Sequence, residues 1–216
     1  MAQARALLFD FDGTLAPNLD LPDLRRRVVS LTLAHGVPEA VFSGRYIVEI
    51  LDAGAAWLAP RDSARGSELH AHGHRLIRDF EIEAARRTEP FADARGLLAG
   101  LRDCGMALAV VTRNCRAAVQ AAFPDIADYC DAVLARDDVA HLKPDVRHVR
   151  QALEVLGHAP HQAVMVGDGQ LDMHMGRALG LYCVGVLTGS SDAGSLREAG
   201  ADAVLARAGD LAAALV

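Results

Sequence analysis

Short apolar runs that end abruptly on a polar, chemically capable residue recur along this chain, and they restrict its fold more than any other feature. Ala6 to Phe9 closes on Asp10, Met106 to Val111 closes on Thr112, and Ala163 to Val166 leads into Gly167 and Asp168. Val133 to Ala135 and Tyr182 to Val186 have the same character. Such runs, too short for helices, read as buried strands. Amphipathic segments separate them. Val146, Val149, Leu153 and Leu156 recur at helical spacing before Gly157, a natural C-cap, and Ala92 to Cys104 is a further helix stopped by Gly105. Strand alternating with helix predicts an α/β fold, a doubly wound parallel sheet with a Rossmann-like core covered on both faces.

Between residues 16 and 89 the alternation stops. Leu24, Val28 and Leu31 keep helical spacing, as do Ile47, Ile50, Leu51 and Gly54, and then Leu69, Leu76, Ile77 and Phe80. Pro17 and Asn18 at one end and Thr88 to Pro90 at the other are turn formers suited to hinges. The expected organisation is an α/β core from residues 1–15 and 90–216, with residues 16–89 as an inserted all-helical cap. A chain of 216 residues, 51% apolar, can bury one core plus such an appendage.

In a doubly wound sheet, ligands bind beyond the carboxyl ends of the strands, where the polar residues of this sequence collect. The first strand delivers Asp10, Phe11, Asp12, Gly13 and Thr14. Two carboxylates held together suit a hard cation such as Mg2+, and one of them can attack phosphorus while the other moves a proton. Thr112, Arg113 and Asn114 offer donors for phosphoryl oxygens, and Lys143 supplies positive charge beside the nucleophile. Asp168 and Asp172 complete an oxygen-rich metal site.

Asp-x-Asp-Gly-Thr-Leu at 10–15, Thr112, Lys143 and Gly-Asp-x-x-x-Asp at 167–172 resemble, in order, the four signatures of the haloacid dehalogenase superfamily. The resemblance spans the whole chain. It implies that Asp10 is the nucleophile, Asp12 the general acid and base, and Thr112 and Lys143 phosphate binders, with Asp168 as metal ligand and Asp172 in support. It further implies that the backbone carbonyl of Asp12 ligates Mg2+, that Gly13 and Thr14 line the substrate, and that the helical insert is the cap placed after the first signature. Dehalogenating members lack a second aspartate at the place of Asp12, so phosphoryl transfer is the implied chemistry. Gly169 stands where many relatives have Ser, and Arg113 where many have Asn; neither removes a catalytic group. Residues 167–177 and 184–190 look most like the phosphoglycolate phosphatase branch.

The expected activity is Mg2+-dependent hydrolysis of a small-molecule phosphate ester through an aspartyl-phosphate. A phosphomutase would return the phosphate to a second hydroxyl instead. A non-enzymatic regulator is disfavoured by the presence of Asp10, Asp12, Lys143 and Asp168, and a phospho-accepting receiver domain by the large insert. Arg45, after Ser43 and Gly44, is a candidate for binding a substrate carboxylate or second phosphate. His70 and His74 have the i, i+4 spacing of a helical metal pair, but no third ligand is evident and a solvated helix face is the reading. Cys115 reads as a buried thiol.

A net charge of −6 with scattered Lys and Arg gives no nucleic-acid or membrane footprint. Four separated cysteines and an N-terminus without a signal-peptide pattern fit a reducing cytoplasm, and no apolar run approaches the roughly 20 residues that span a bilayer. The expected state is monomer or homodimer.

Overall fold

The computed structural model describes residues 4–214. The chain divides into two compact units, one running to Asn18 and resuming at Ala85, the other spanning Leu19–Ala84.

The first unit is built on six strands, β1 (Ala6–Phe9), β2 (Ala107–Val111), β3 (Ala132–Leu134), β4 (Ala163–Gly167), β5 (Tyr182–Val186) and β6 (Ala203–Leu205), all parallel in the order β3-β2-β1-β4-β5-β6. The alternation of strand and helix is what forces parallel pairing, since each return crossing must run over a face of the sheet. The helices of this unit are α4 (Ala94–Asp103), α5 (Arg116–Ala122), α6 (Ile126–Tyr129), α7 (Val146–Leu156), α8 (Gln170–Leu179), α9 (Ala193–Glu198) and α10 (Leu211–Ala214). Every residue of β1 and β4 is buried, as befits central strands covered on both faces. One core layer joins Ala6, Leu8, Ala109, Val111 and Met165 to Val149, Ala152 and Leu153 of α7 and Met173 and Met175 of α8. Gly157 closes α7 in the left-handed conformation at φ 69°, as its place after the last apolar position requires.

Strand β6 went unread in the sequence because it is three half-buried residues at the sheet edge, too brief for a periodicity. Its pairing with β5 decides it: Gly185 lies beside Val204.

The second unit contains α1 (Leu21–Ala34), a single 3-10 turn at Glu39–Val41, α2 (Ile47–Leu58) and α3 (Ser63–Ala85). Asp20 caps α1 by accepting from the Asp23 amide at 2.9 Å, with Pro22 in the first turn where a missing N–H costs nothing. Leu24, Val28, Phe42, Ile50, Leu51, Leu58, Leu69 and Ile77 form its own apolar core. The expected boundaries at 15/16 and 89/90 compare with 18/19 and 84/85 for these units.

Candidate active site

Sheet register brings the reactive residues together. Phe9 lies opposite both Val110 and Val166, so the residues that follow on β1, β2 and β4 leave the sheet at one edge. Asp10 extends the ladder by one bond, donating its amide to the Val166 carbonyl at 2.9 Å. The chain then doubles back: the amides of Thr14, Leu15 and Ala16 all reach the Phe11 carbonyl, at 3.2, 2.9 and 3.1 Å. Gly13 makes this turn possible. Its φ is 79°, and a Cβ there would stand 2.6 Å from the Asp168 carboxyl carbon, so both backbone conformation and space demand glycine.

Lys143 joins two of the carboxylates. Its Nζ donates to Asp10 Oδ1 and to Asp172 Oδ1, each at 2.8 Å, with Lys143 and Asp172 only 2% exposed. Burial pushes the Asp10 carboxyl well above its usual range, more than the adjacent Lys143 brings it down, and Asp172 and Asp168 push the same way. Burial likewise raises Asp172 against the opposing pull of Lys143. Burial would lower the Lys143 ammonium, but the two carboxylates hold it above its ordinary value. Asp10, Asp168 and Asp172 each offer an oxygen within 4.8 Å of the others. Three carboxyl groups cluster here and the Lys143 ammonium bonds two of them, so the site is rich in the oxygen donors that Mg2+ takes. Asp168 receives the Ser190 amide and hydroxyl at 2.6 and 2.9 Å and the Asn18 amide at 3.4 Å, all on Oδ2, and among the described residues nothing donates to its Oδ1.

Asp12 is held separately. Asn114 Nδ2 approaches its two oxygens at 3.2 and 3.3 Å, while the Asn114 amide donates to Thr112 Oγ1 at 3.0 Å. Thr112 is fully buried and, as an acceptor there, keeps its own proton for another partner. Asn114, expected to face substrate, therefore spends its side-chain donors on Asp12, and Arg113 Nη1 donates to the Lys143 carbonyl. Thr14 is 1% exposed, and its hydroxyl has no hydrogen-bond partner among the described residues.

Four contributors went unread in the sequence. His148 accepts the Lys143 amide on Nδ1 at 3.2 Å and donates from Nε2 to the Leu134 carbonyl at 3.1 Å, fixing the neutral tautomer. Burial, then the neighbouring Lys143 charge, lowers its pKa to about 4. Thr188 donates to the Gly13 carbonyl at 2.6 Å, joining the end of β5 to the first loop. Ser190 and Asn18 bind Asp168 as described. The polar stretch after β5 was the one visible signal for Thr188 and Ser190. Arg45 belongs to the helical unit, where it is exposed, donates from Nε to the Val41 carbonyl at 3.2 Å and accepts Arg25 Nη1 on its own carbonyl at 2.7 Å. Cys115 is buried. Among the described residues no helix is long and apolar enough to cross a membrane.

This fold and this arrangement of carboxylates agree with what sequence comparison finds. The profile of the haloacid dehalogenase-like hydrolases matches residues 7–186, and the chain belongs to that family. A phosphoglycolate phosphatase of Cupriavidus necator is 32% identical, the match covering 93% of this chain and 88% of the relative. The pyrophosphatase PpaX of Bacillus pumilus is 31% identical over 83% of this chain and 82% of its own. Among solved structures, a predicted phosphoglycolate phosphatase from Haemophilus somnus superposes with a TM-score of 0.71 over the full length of both chains at 19% identity, a likeness of fold.

Proposed function

We propose that this phosphatase of the haloacid dehalogenase-like family is a Mg2+-dependent phosphomonoester hydrolase acting on a small phosphorylated metabolite, with Asp10 as its nucleophile. The observation that carries the reading is the mostly buried Asp10 carboxylate, 2.8 Å from Lys143 and clustered with Asp168 and Asp172. Asp10, Asp168, Asp172 and the Asp12 carbonyl would hold Mg2+, which would supply positive charge against the phosphoryl oxygens. Asp10 attacks phosphorus, the bond to the leaving oxygen breaks, and Asp12 protonates that oxygen. Asp12 then takes a proton from the water that attacks the aspartyl-phosphate, releasing phosphate and restoring Asp10. Lys143 and Thr112 bind phosphoryl oxygens, and the enclosed Thr14 hydroxyl fits a role in the same cradle. Asn114 orients Asp12.

Phosphoglycolate is the first substrate to try, because the curated relatives include phosphoglycolate phosphatases, and pyrophosphate the second. Arg45 would meet a carboxylate or second phosphate on the substrate. Phosphate release should be measured from phosphoglycolate, pyrophosphate, hexose phosphates and an aryl phosphate, with and without Mg2+. Release that needs Mg2+ and falls at least about 10³-fold in Asp10→Asn supports the mechanism. Isomerisation of a hexose phosphate without phosphate release would instead make the protein a mutase. Arg45→Ala should raise KM for the preferred substrate by roughly tenfold and leave the aryl phosphate unchanged; an unchanged KM for both removes Arg45 from the site.

A further inference from the structure

The helical unit holds a second group of ligating side chains. His70 and His74 sit one turn apart on α3, and Asp52 of α2 supplies the third member that the sequence did not reveal. Asp52 Oδ1 stands 3.5 Å from His70 Nε2 and 3.7 Å from His74 Nε2, and one ligand atom from each residue lies within 4.8 Å of the others. A tetrahedral Zn2+ with bonds of about 2.0–2.2 Å places its ligand atoms roughly 3.3–3.6 Å apart. Both distances exceed the roughly 2.7–3.2 Å of an N–H···O hydrogen bond, so the carboxylate oxygen is shared between two imidazoles and bonded to neither.

An unpartnered ring nitrogen points to a ligand there, and helix packing holds the cluster in place. His74 Nε2 is enclosed by protein yet has no hydrogen-bond partner among the described residues, an unusual state for a buried ring nitrogen. The scaffold is also fixed by close helix packing. A Cβ on Gly73 would collide with Leu51, and a Cβ on Gly66 would stand 3.0 Å from the Ala55 carbonyl oxygen, so α2 and α3 approach closely within the cluster and one turn before it. Leu51 and Leu69, adjoining Asp52 and His70 in sequence, are fully buried.

We propose that Asp52, His70 and His74 form a binding site for a borderline transition-metal dication, Zn2+ foremost, with solvent completing the coordination. Imidazole nitrogens select against Mg2+, which takes oxygen donors, so this site differs in chemistry from the carboxylate cluster of the α/β unit. The ion would clamp α2 to α3.

The test uses the full chain in saturating Mg2+, titrated with Zn2+ in competition with a chromophoric chelator, alongside thermal melts. Wild type should bind one equivalent of Zn2+ that His70→Ala/His74→Ala does not, and Zn2+ should raise Tm only in the wild type. Asp52→Asn should weaken Zn2+ binding at least about tenfold, since loss even of an outer-sphere partner costs 10–100-fold. Asp52 and His70 are exposed and His74 is half-buried, so metal-free Asp52→Asn should melt with the wild type and the double variant close to it. Should the double variant fail to fold, Asp52→Asn alone decides the matter. Equal stoichiometry, affinity and Tm shift in wild type and variants would overturn the proposal.

Discussion

In the α/β unit, Asp168, Asp172 and the mostly buried Asp10 cluster beside a lysine that bonds two of them; in the helical unit, Asp52 stands half-exposed between two histidines. The two clusters contain similar groups, but burial makes their energetics different. Out of water, a carboxylate must find an opposite charge or take up a proton, which is why Asp10 and Asp172 are pushed upward and Lys143 lies 2.8 Å from both. At the surface, solvent screens Asp52, and nothing compels a close ion pair. A preformed, charge-strained cluster suits chemistry that must start from a fixed nucleophile; a screened one suits an ion that comes and goes.

The contrast predicts unequal responses to mutation. Lys143→Met should leave the buried Asp172 and the mostly buried Asp10 without their cation and cost about 3–5 kcal/mol, read by chemical denaturation in the absence of Mg2+. Addition of Mg2+ should restore more stability to this variant than to the wild type. A loss below about 1 kcal/mol would mean that Lys143 does not balance the buried charge.

A second effect comes from His148, which holds the Lys143 amide. Its pKa falls from 6.5 to about 4 on folding, so the unfolded chain takes up a proton that the folded chain refuses. The stability tied to this group is therefore present above pH 6.5 and declines as pH falls towards 4, by roughly 3 kcal/mol in all. Denaturation midpoints of wild type and His148→Phe across that window measure it; the variant should lack this part of the slope. Parallel profiles would detach His148 from the acid response. The smallest effect belongs to the exposed cluster: without metal, Asp52→Asn should change stability by less than about 0.5 kcal/mol. A loss near that of Lys143→Met would erase the distinction between the clusters.

Much of the α/β unit was legible because its chemistry is local in sequence. Asp10 and Asp12 lie two residues apart at the end of one apolar run, and Asp168 and Asp172 follow another, so strand periodicity and turn residues place them without reference to the rest of the chain. The boundaries of β1 and β5 coincide with the apolar runs, and α4 is shorter than its expected span by three residues, two before Ala94 and one after Asp103. Asn114 and Arg113 were legible as donors but not in their partners: their side chains reach Asp12 and the Lys143 carbonyl, contacts that exist only once β1, β2 and the loop before α7 are side by side.

The sequence by itself determined the element types, the parallel α/β class, the family and the carboxylates at the strand ends, because apolar periodicity and short-range motifs act over a few residues. Tertiary structure alone decided the rest. It set the strand order that puts β1 at the centre and revealed the edge strand β6. It brought His148, Thr188, Ser190 and Asn18 to their places around the lysine and the aspartates, and it set Asp52 opposite His70 and His74. The physical reason is the same throughout: packing between elements distant along the chain selects these partners, and no spacing in the sequence encodes it.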